Sequence, residues 1–154
     1  MRNIHATGLI LGDRGVLLTG PSGSGKTTLA LQLLARAGTL DGFGRLVCDD
    51  QVFVEALAGR LVARAAPSIV GLVEIGGLGP CPVEAETAMA VDLLVRLVPA
   101  GEAPRMETGN SDFVEGVALP RLDLPERCAL AAANAVLAWL VLPRCTNEAR
   151  GAAK

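Results

Sequence analysis

The stretch GPSGSGKTT, Gly20 to Thr28, meets the spacing G-x-x-x-x-G-K-[ST] through Gly20, Gly25, Lys26 and Thr27. Residues of these types at these intervals hold the phosphates of a nucleotide. Glycines let backbone N–H groups close around phosphate oxygens at a helix N-terminus, the lysine neutralises the β and γ phosphates, and the following hydroxyl ligates Mg2+. Gly20, Pro21, Ser22, Gly23, Ser24, Gly25, Lys26, Thr27 and Thr28 are therefore read as a nucleotide site, with Thr27 able to ligate the metal.

A second feature, RLVCDDQV, ends a short apolar run in the adjacent carboxylates Asp49 and Asp50. An acid at such a strand end holds Mg2+ through water, and a carboxylate within reach of a hydroxyl nucleophile takes its proton. Two consecutive acids offer a division of labour between metal and proton; a solvated turn pair is the plain alternative. His5 is the only histidine in the chain. Placed before the first strand, it is either a surface residue or the partner of a carboxylate base. Glu74 is a lone acid in the apolar run SIVGLVEI, which makes it a ligand or a costly burial. It is read as a ligand.

These residues need elements to carry them. Apolar runs rich in β-branched residues predict strands at Thr7–Leu11, Val16–Thr19, Leu46–Cys48, Val52–Leu57, Leu61–Ala65 and Val70–Ile75. A helix starts near Lys26, with Leu29, Leu33 and Leu34 on one face, and stops at Gly38. A second helix is announced by DLPER, with Asp123 as cap, Pro125 in the first turn and Glu126 after it. The apolar stretch Cys128–Leu142 reads as a buried helix, short of the roughly 18–20 residues a membrane span needs. The segment Gly101–Glu115 reads as a long loop or poorly ordered flap.

At 154 residues, 51% of them hydrophobic and only 3% aromatic, the chain is expected to fold as one domain over 1–142 around an aliphatic core, with a flexible tail at 143–154. The formal net charge of −2 gives no electrostatic reason for a nucleic-acid or anionic-membrane partner. Cys48, Cys81, Cys128 and Cys145 form no C-x-x-C pair, so neither a zinc knuckle nor a redox motif is expected. MRNIHATG lacks the apolar run of a signal peptide, which points to the cytoplasm.

In this order the residues resemble the catalytic domain of the HPr kinase/phosphorylase family. The resemblance rests on IHATG, GPSGSGKT, LVCDD and AAPSIVGLVEIGGLG, the last similar to the family's E-I-R-G-L-G signature, and it is strongest over Asn3–Val83. It implies an α/β, P-loop kinase-like domain with a mixed, strongly β central sheet, a P-loop helix and a C-terminal helix. It implies ATP- and Mg2+-dependent phosphorylation of a serine in the phosphocarrier protein HPr, by a ring-like homo-oligomer. Lys26 would hold the phosphates, Asp49 would be the general base supported by His5, and Thr27, Asp50 and Glu74 would serve the metal. EAPRM resembles the segment around the family's catalytic arginine, which makes Arg105 the candidate, and GVALPRLDLP resembles the strand before its closing helix.

Several positions depart from the family. Thr28 stands where an acid is usual, Gly76 stands where the signature has arginine, and LPERCALAAAN replaces the V-R-P-G-R-N segment used in the reverse reaction. The chain is therefore expected to be a short, catalytic-domain-only form resembling those of alphaproteobacteria, with phosphorylase activity in doubt. Two other classes remain open: an ATP-binding regulator without transfer activity, and a small-molecule kinase, because a P-loop says nothing about the acceptor.

Overall fold

The computed structural model describes residues 1–37 and 42–142. The elements run β1 (Arg2–Ile4), β2 (Ala6–Leu11), β3 (Arg14–Thr19), α1 (Lys26–Arg36), β4 (Gly44–Cys48), β5 (Val52–Leu57), β6 (Arg60–Ala65), β7 (Leu72–Ile75), β8 (Gly79–Pro82), β9 (Ala88–Val98), β10 (Ser111–Val114), β11 (Val117–Pro125) and α2 (Ala129–Val141). Nine strands form one curled sheet in the order β1-β5-β6-β9-β3-β2-β4, with β11 also paired to β9 and β10 to β11; β7 and β8 form a separate ribbon. The β3–β9 and β9–β11 pairs are parallel and the other ladders antiparallel, so the sheet is mixed and strongly β as expected.

Period-two alternation sorts the core into two clusters. On β3, Val16 and Leu18 face Leu29, Ala30 and Leu33 of α1 and Ala132, Ala133 and Val136 of α2. Leu17 between them faces Val47, Val52, Val54 and Leu61, where the sheet curls over itself. One face is thus covered by helices and the other by the sheet's own strands.

The strands predicted from short apolar runs at Thr7–Leu11, Val16–Thr19, Leu46–Cys48, Val52–Leu57 and Leu61–Ala65 lie within β2 to β6. The longest strand, β9, was not expected: AMAVDLLVRLV alternates over Ala88–Leu93 and is buried on both faces at Leu93–Val95. The ribbon strand β8 was also missed, and the predicted Val70–Ile75 strand is shortened to Leu72–Ile75 behind a 3-10 turn at Pro67–Ile69.

The DLPER helix start is corrected. Residues Arg121–Pro125 pair in parallel with Leu94–Val98 of β9, and the Asp123 carboxylate accepts Arg96 at 2.9 and 3.1 Å rather than capping a helix. The helix begins at Ala129, and only one face is buried, since Leu130 and Val141 stand exposed. The Gly101–Glu115 flap is corrected in part. Its end forms β10, joined to β11 by a tight turn in which Glu115 (φ 49°) and Gly116 (φ 77°) both take left-handed conformations. The predicted stop at Gly38, the tail at 143–154 and Cys145 lie outside the described residues.

Candidate functional site

β2 lies between β3 and β4 and is antiparallel to both, with Ala6 opposite Thr19 and Gly8 opposite Cys48. This register brings the start of β2 to the ends of β3 and β4. His5, the loop Gly20–Gly25 and the pair Asp49–Asp50 therefore meet at one end of the sheet.

The loop is shaped to take phosphate. Gly23 (φ 78°) and Gly25 (φ 93°) adopt conformations that side chains disfavour, and the first α1 carbonyl bond runs from Leu29 N–H to Gly25 O at 2.9 Å. A Cβ at Gly20 would come 2.7 Å from Ser24 Oγ and 3.2 Å from Leu97 O. Ser24 Oγ is itself buried without a protein partner. Lys26, 4% exposed, donates to Gly20 O at 3.0 Å, Pro21 O at 3.2 Å and His5 Nε2 at 3.2 Å.

Asp49 is buried, and its Oδ1 accepts the hydroxyls of Thr27 at 2.8 Å and Thr7 at 2.9 Å. Its Oδ2 faces the Glu74 N–H at 3.4 Å. Asp50 is exposed and left-handed (φ 65°), the kind of backbone strain that collects at working sites. His5 Nδ1 lies 2.8 Å from Asp50 O, and its Nε2 is 3.8 Å from Asp50 Oδ1. The expected His5–Asp49 support is thus not what the geometry brings together: His5 contacts Asp50 and Lys26.

Glu74 points outward on β7 while Val73 is buried, so the costly burial weighed for it does not arise. With Ser22, Lys26, Thr27, Thr28 and Gly76 it lines a cleft of about 380 Å3 over the loop. A neighbouring cleft of about 390 Å3 has an apolar wall of Ile69, Leu72 and Pro80. Asp50 and Glu74 border both. Arg105 is not brought to either; it lines a third cleft of about 320 Å3 with Arg121 and Trp139.

Two contributors escaped the sequence reading. Thr7 anchors Asp49 from across the sheet, its only signal being a hydroxyl among buried apolar residues of β2. Arg127 straps the loop: its N–H donates to Ser24 O at 3.0 Å and its Nε to Gly23 O at 3.2 Å. It precedes α2 with φ 56°, outside the helix expected to hold it.

The donor set fits Mg2+ bound together with a polyphosphate. Among the described residues no cluster of three His, Cys, Asp or Glu forms a metal cage. A hydroxyl, one or two carboxylates, phosphate oxygens and water are the ligands this cation takes.

Comparison with known proteins gives the family and the fold. The family described as the HPr serine kinase C-terminal domain matches residues 1–101. The chain belongs to this family. An HPr kinase/phosphorylase from Burkholderia cenocepacia is 34% identical over 158 residues, covering 96% of this chain and 47% of that protein. One from Clostridium beijerinckii is 37% identical over 76 residues, 49% of this chain and 23% of that protein. This HPr kinase-family chain thus spans about half or less of the curated relatives it matches. The solved structure of the HPr(Ser) kinase/phosphatase from Coxiella burnetii shares the fold, with a TM-score of 0.78 at 23% identity over 92% of this chain and 97% of that one. Kinases of this family use a nucleotide. Among the described residues no helix is long and apolar enough to cross a membrane.

Proposed function

We propose that the protein transfers the γ-phosphoryl group of ATP to a serine hydroxyl of the phosphocarrier protein HPr. The supporting observation is the position of Asp50 and Glu74 on the shared border of two clefts, one over the phosphate loop and one with an apolar wall. A phosphoryl donor in the first and a protein side chain in the second would meet at these acids.

ATP with Mg2+ supplies the activated phosphoryl group and the charge that neutralises it. The chain's part is to bind, orient and take a proton. Lys26 and the loop N–H groups hold the β and γ phosphates. Thr27 gives its hydroxyl to the metal, and Asp49, already bonded to that hydroxyl, stands on the metal side. Asp50, exposed at the border beside His5, takes the serine proton as the hydroxyl attacks. This geometry favours exchanging the roles that the family resemblance implied for the two acids. Glu74 keeps the metal side; Arg105 has no part in transfer within one chain. Action in the cytoplasm, as a homo-oligomer, belongs to the same proposal.

The test is incubation of purified protein with labelled ATP, Mg2+ and either HPr or a panel of small alcohols. Label on an HPr serine, abolished by Lys26→Ala, is the expected result. Label on a metabolite, or ATP binding without transfer, would replace this reading by a small-molecule kinase or a nucleotide-sensing regulator. The regulator has one observation in its favour, the absence of a side chain at Gly76 on the phosphate cleft.

A further inference from the structure

Lys26 carries an ammonium group with three donors, and the three acceptors around it are Gly20 O, Pro21 O and His5 Nε2. The other His5 ring nitrogen lies against Asp50 O. A carbonyl oxygen only accepts and an ammonium only donates, so the two contacts fix the ring. Nδ1 carries the proton and donates to Asp50 O, while the Nε2 lone pair accepts from Lys26. The two contacts together are those of the Nδ1–H tautomer.

Lys26 cannot aim a donor at β or γ phosphate without giving up one of these acceptors. Gly20 O and Pro21 O belong to the loop that closes around the phosphates and stay beside the lysine. His5 stands on a separate segment, between β1 and β2, with its side chain 49% exposed, so water can replace Lys26 at Nε2 at little cost. The contact with His5 is the one that yields.

We infer that His5 is a positioning residue for Lys26: it competes with the nucleotide's β and γ phosphates for the ammonium and is released when they arrive. Release leaves Nε2 as a free acceptor beside the Asp50 carboxylate, 3.8 Å away. Filling the phosphate cleft is thereby coupled to the arrangement of the groups facing the second cleft. The inference rests on the nucleotide-binding part of the proposed function and is independent of the phosphoryl acceptor.

The chain has one histidine, so a tag-free sample gives one set of imidazole 15N signals. Long-range 1H–15N correlation of the protein alone is expected to show the Nδ1–H tautomer with a hydrogen-bonded Nε2. A non-hydrolysable ATP analogue with Mg2+ is expected to shift Nε2 in step with the Gly23 and Gly25 amides, and Lys26→Met to produce a similar shift without nucleotide. His5→Ala removes the competitor and should tighten analogue binding about two- to tenfold, the range set by one net hydrogen bond. His5→Gln, whose side-chain oxygen also accepts, should restore wild-type affinity.

An Nε2–H tautomer, or an Nε2 signal unmoved by Lys26→Met, overturns the inference. So does equal or weaker binding in His5→Ala, or an Nε2 signal that stays fixed while the loop amides report saturation. If the loop amides never respond, the nucleotide site itself fails and the competition with it, whereas the Lys26–His5 bond is still decided by Lys26→Met alone.

Discussion

Thr27 donates its hydroxyl to Asp49 Oδ1 at 2.8 Å, while the next residue along, Asp50, turns away from Thr27 toward His5. Adjacent acids thus face different partners because Asp50 takes a left-handed backbone conformation (φ 65°). On the proposed assignment Asp49 serves the metal and Asp50 the proton, which predicts opposite phenotypes. Asp49→Asn should weaken Mg2+-dependent ATP binding, since the amide cannot replace the charge beside the metal's hydroxyl ligand. Asp50→Asn should leave ATP affinity near wild type and lower kcat by about 10² to 10⁴, the range of a lost general base. Titrating ATP at several Mg2+ concentrations and measuring kcat for both variants checks the assignment. The reverse pattern returns the base to Asp49.

The loop and α1 were legible because their signals are local: a fixed spacing, a helix face, a strand just before. β2 to β6 were legible as short apolar runs, β5 and β6 with one face buried and β2 to β4 buried on both. β9 was not, and Asp123 imitated a cap because its true partners, Arg96 and Arg121, lie on the strand ladders. The same limit applied to the site. Its residue types could be picked out, but His5 with Lys26 and Thr7 with Asp49 are pairings made by the registers β2 keeps with β3 and β4.

Cys48, beside the site, gives the fold a dependence on alkaline pH. Burial, with the Asp49 charge adding to it against a backbone hydrogen bond from Gly8, pushes its thiol from 9.0 up to about 12. Above pH 9 the unfolded chain releases this proton and the folded chain does not. The stability held below pH 9 is therefore lost as pH rises toward 12, by up to about 1.4 kcal/mol per unit. Urea unfolding at pH 8 and pH 10 should show this fall in the wild type and a shallower one in Cys48→Ala. Equal slopes would mean that the thiol ionises in the folded protein.

Arg127 combines a strained backbone with two bonds to the phosphate loop, which allows the two to be separated. Arg127→Gly keeps the N–H bond to Ser24 O and relieves the left-handed conformation (φ 56°), so the melting temperature should hold or rise slightly. It removes the guanidinium bond to Gly23 O, and ATP affinity should fall by about three- to tenfold. Hydrogen exchange at Gly23 and Gly25 should quicken in parallel. Unchanged affinity would assign the strap to the backbone alone.

Under the proposed function, the balance between forward and reverse transfer is expected to turn on Gly76. Driving phosphate onto a phosphoserine brings two anions together and calls for cationic donors beyond those that hold ATP. On the cleft over the loop Lys26 is the one cationic lining residue among those described, facing Asp50 and Glu74. The protein should therefore act as a kinase with little phosphorylase activity. Gly76 lies on that lining, no atom stands within 4 Å of where its Cβ would be, and its backbone is not left-handed, unlike Gly77 at φ 86°. An arginine is thus sterically admissible at position 76 and would place a second cation at the phosphates. Gly76→Arg should raise phosphate-dependent release of pyrophosphate from the serine-phosphorylated acceptor by at least about tenfold, the equivalent of roughly one charge-assisted hydrogen bond. Forward transfer should change less, because Lys26 and Mg2+ already neutralise the donor. Rapid pyrophosphate release by the wild type would show that the missing charge comes from elsewhere, with Arg127 the first residue to remove; no gain in Gly76→Arg would show that charge at this position does not limit the reverse reaction.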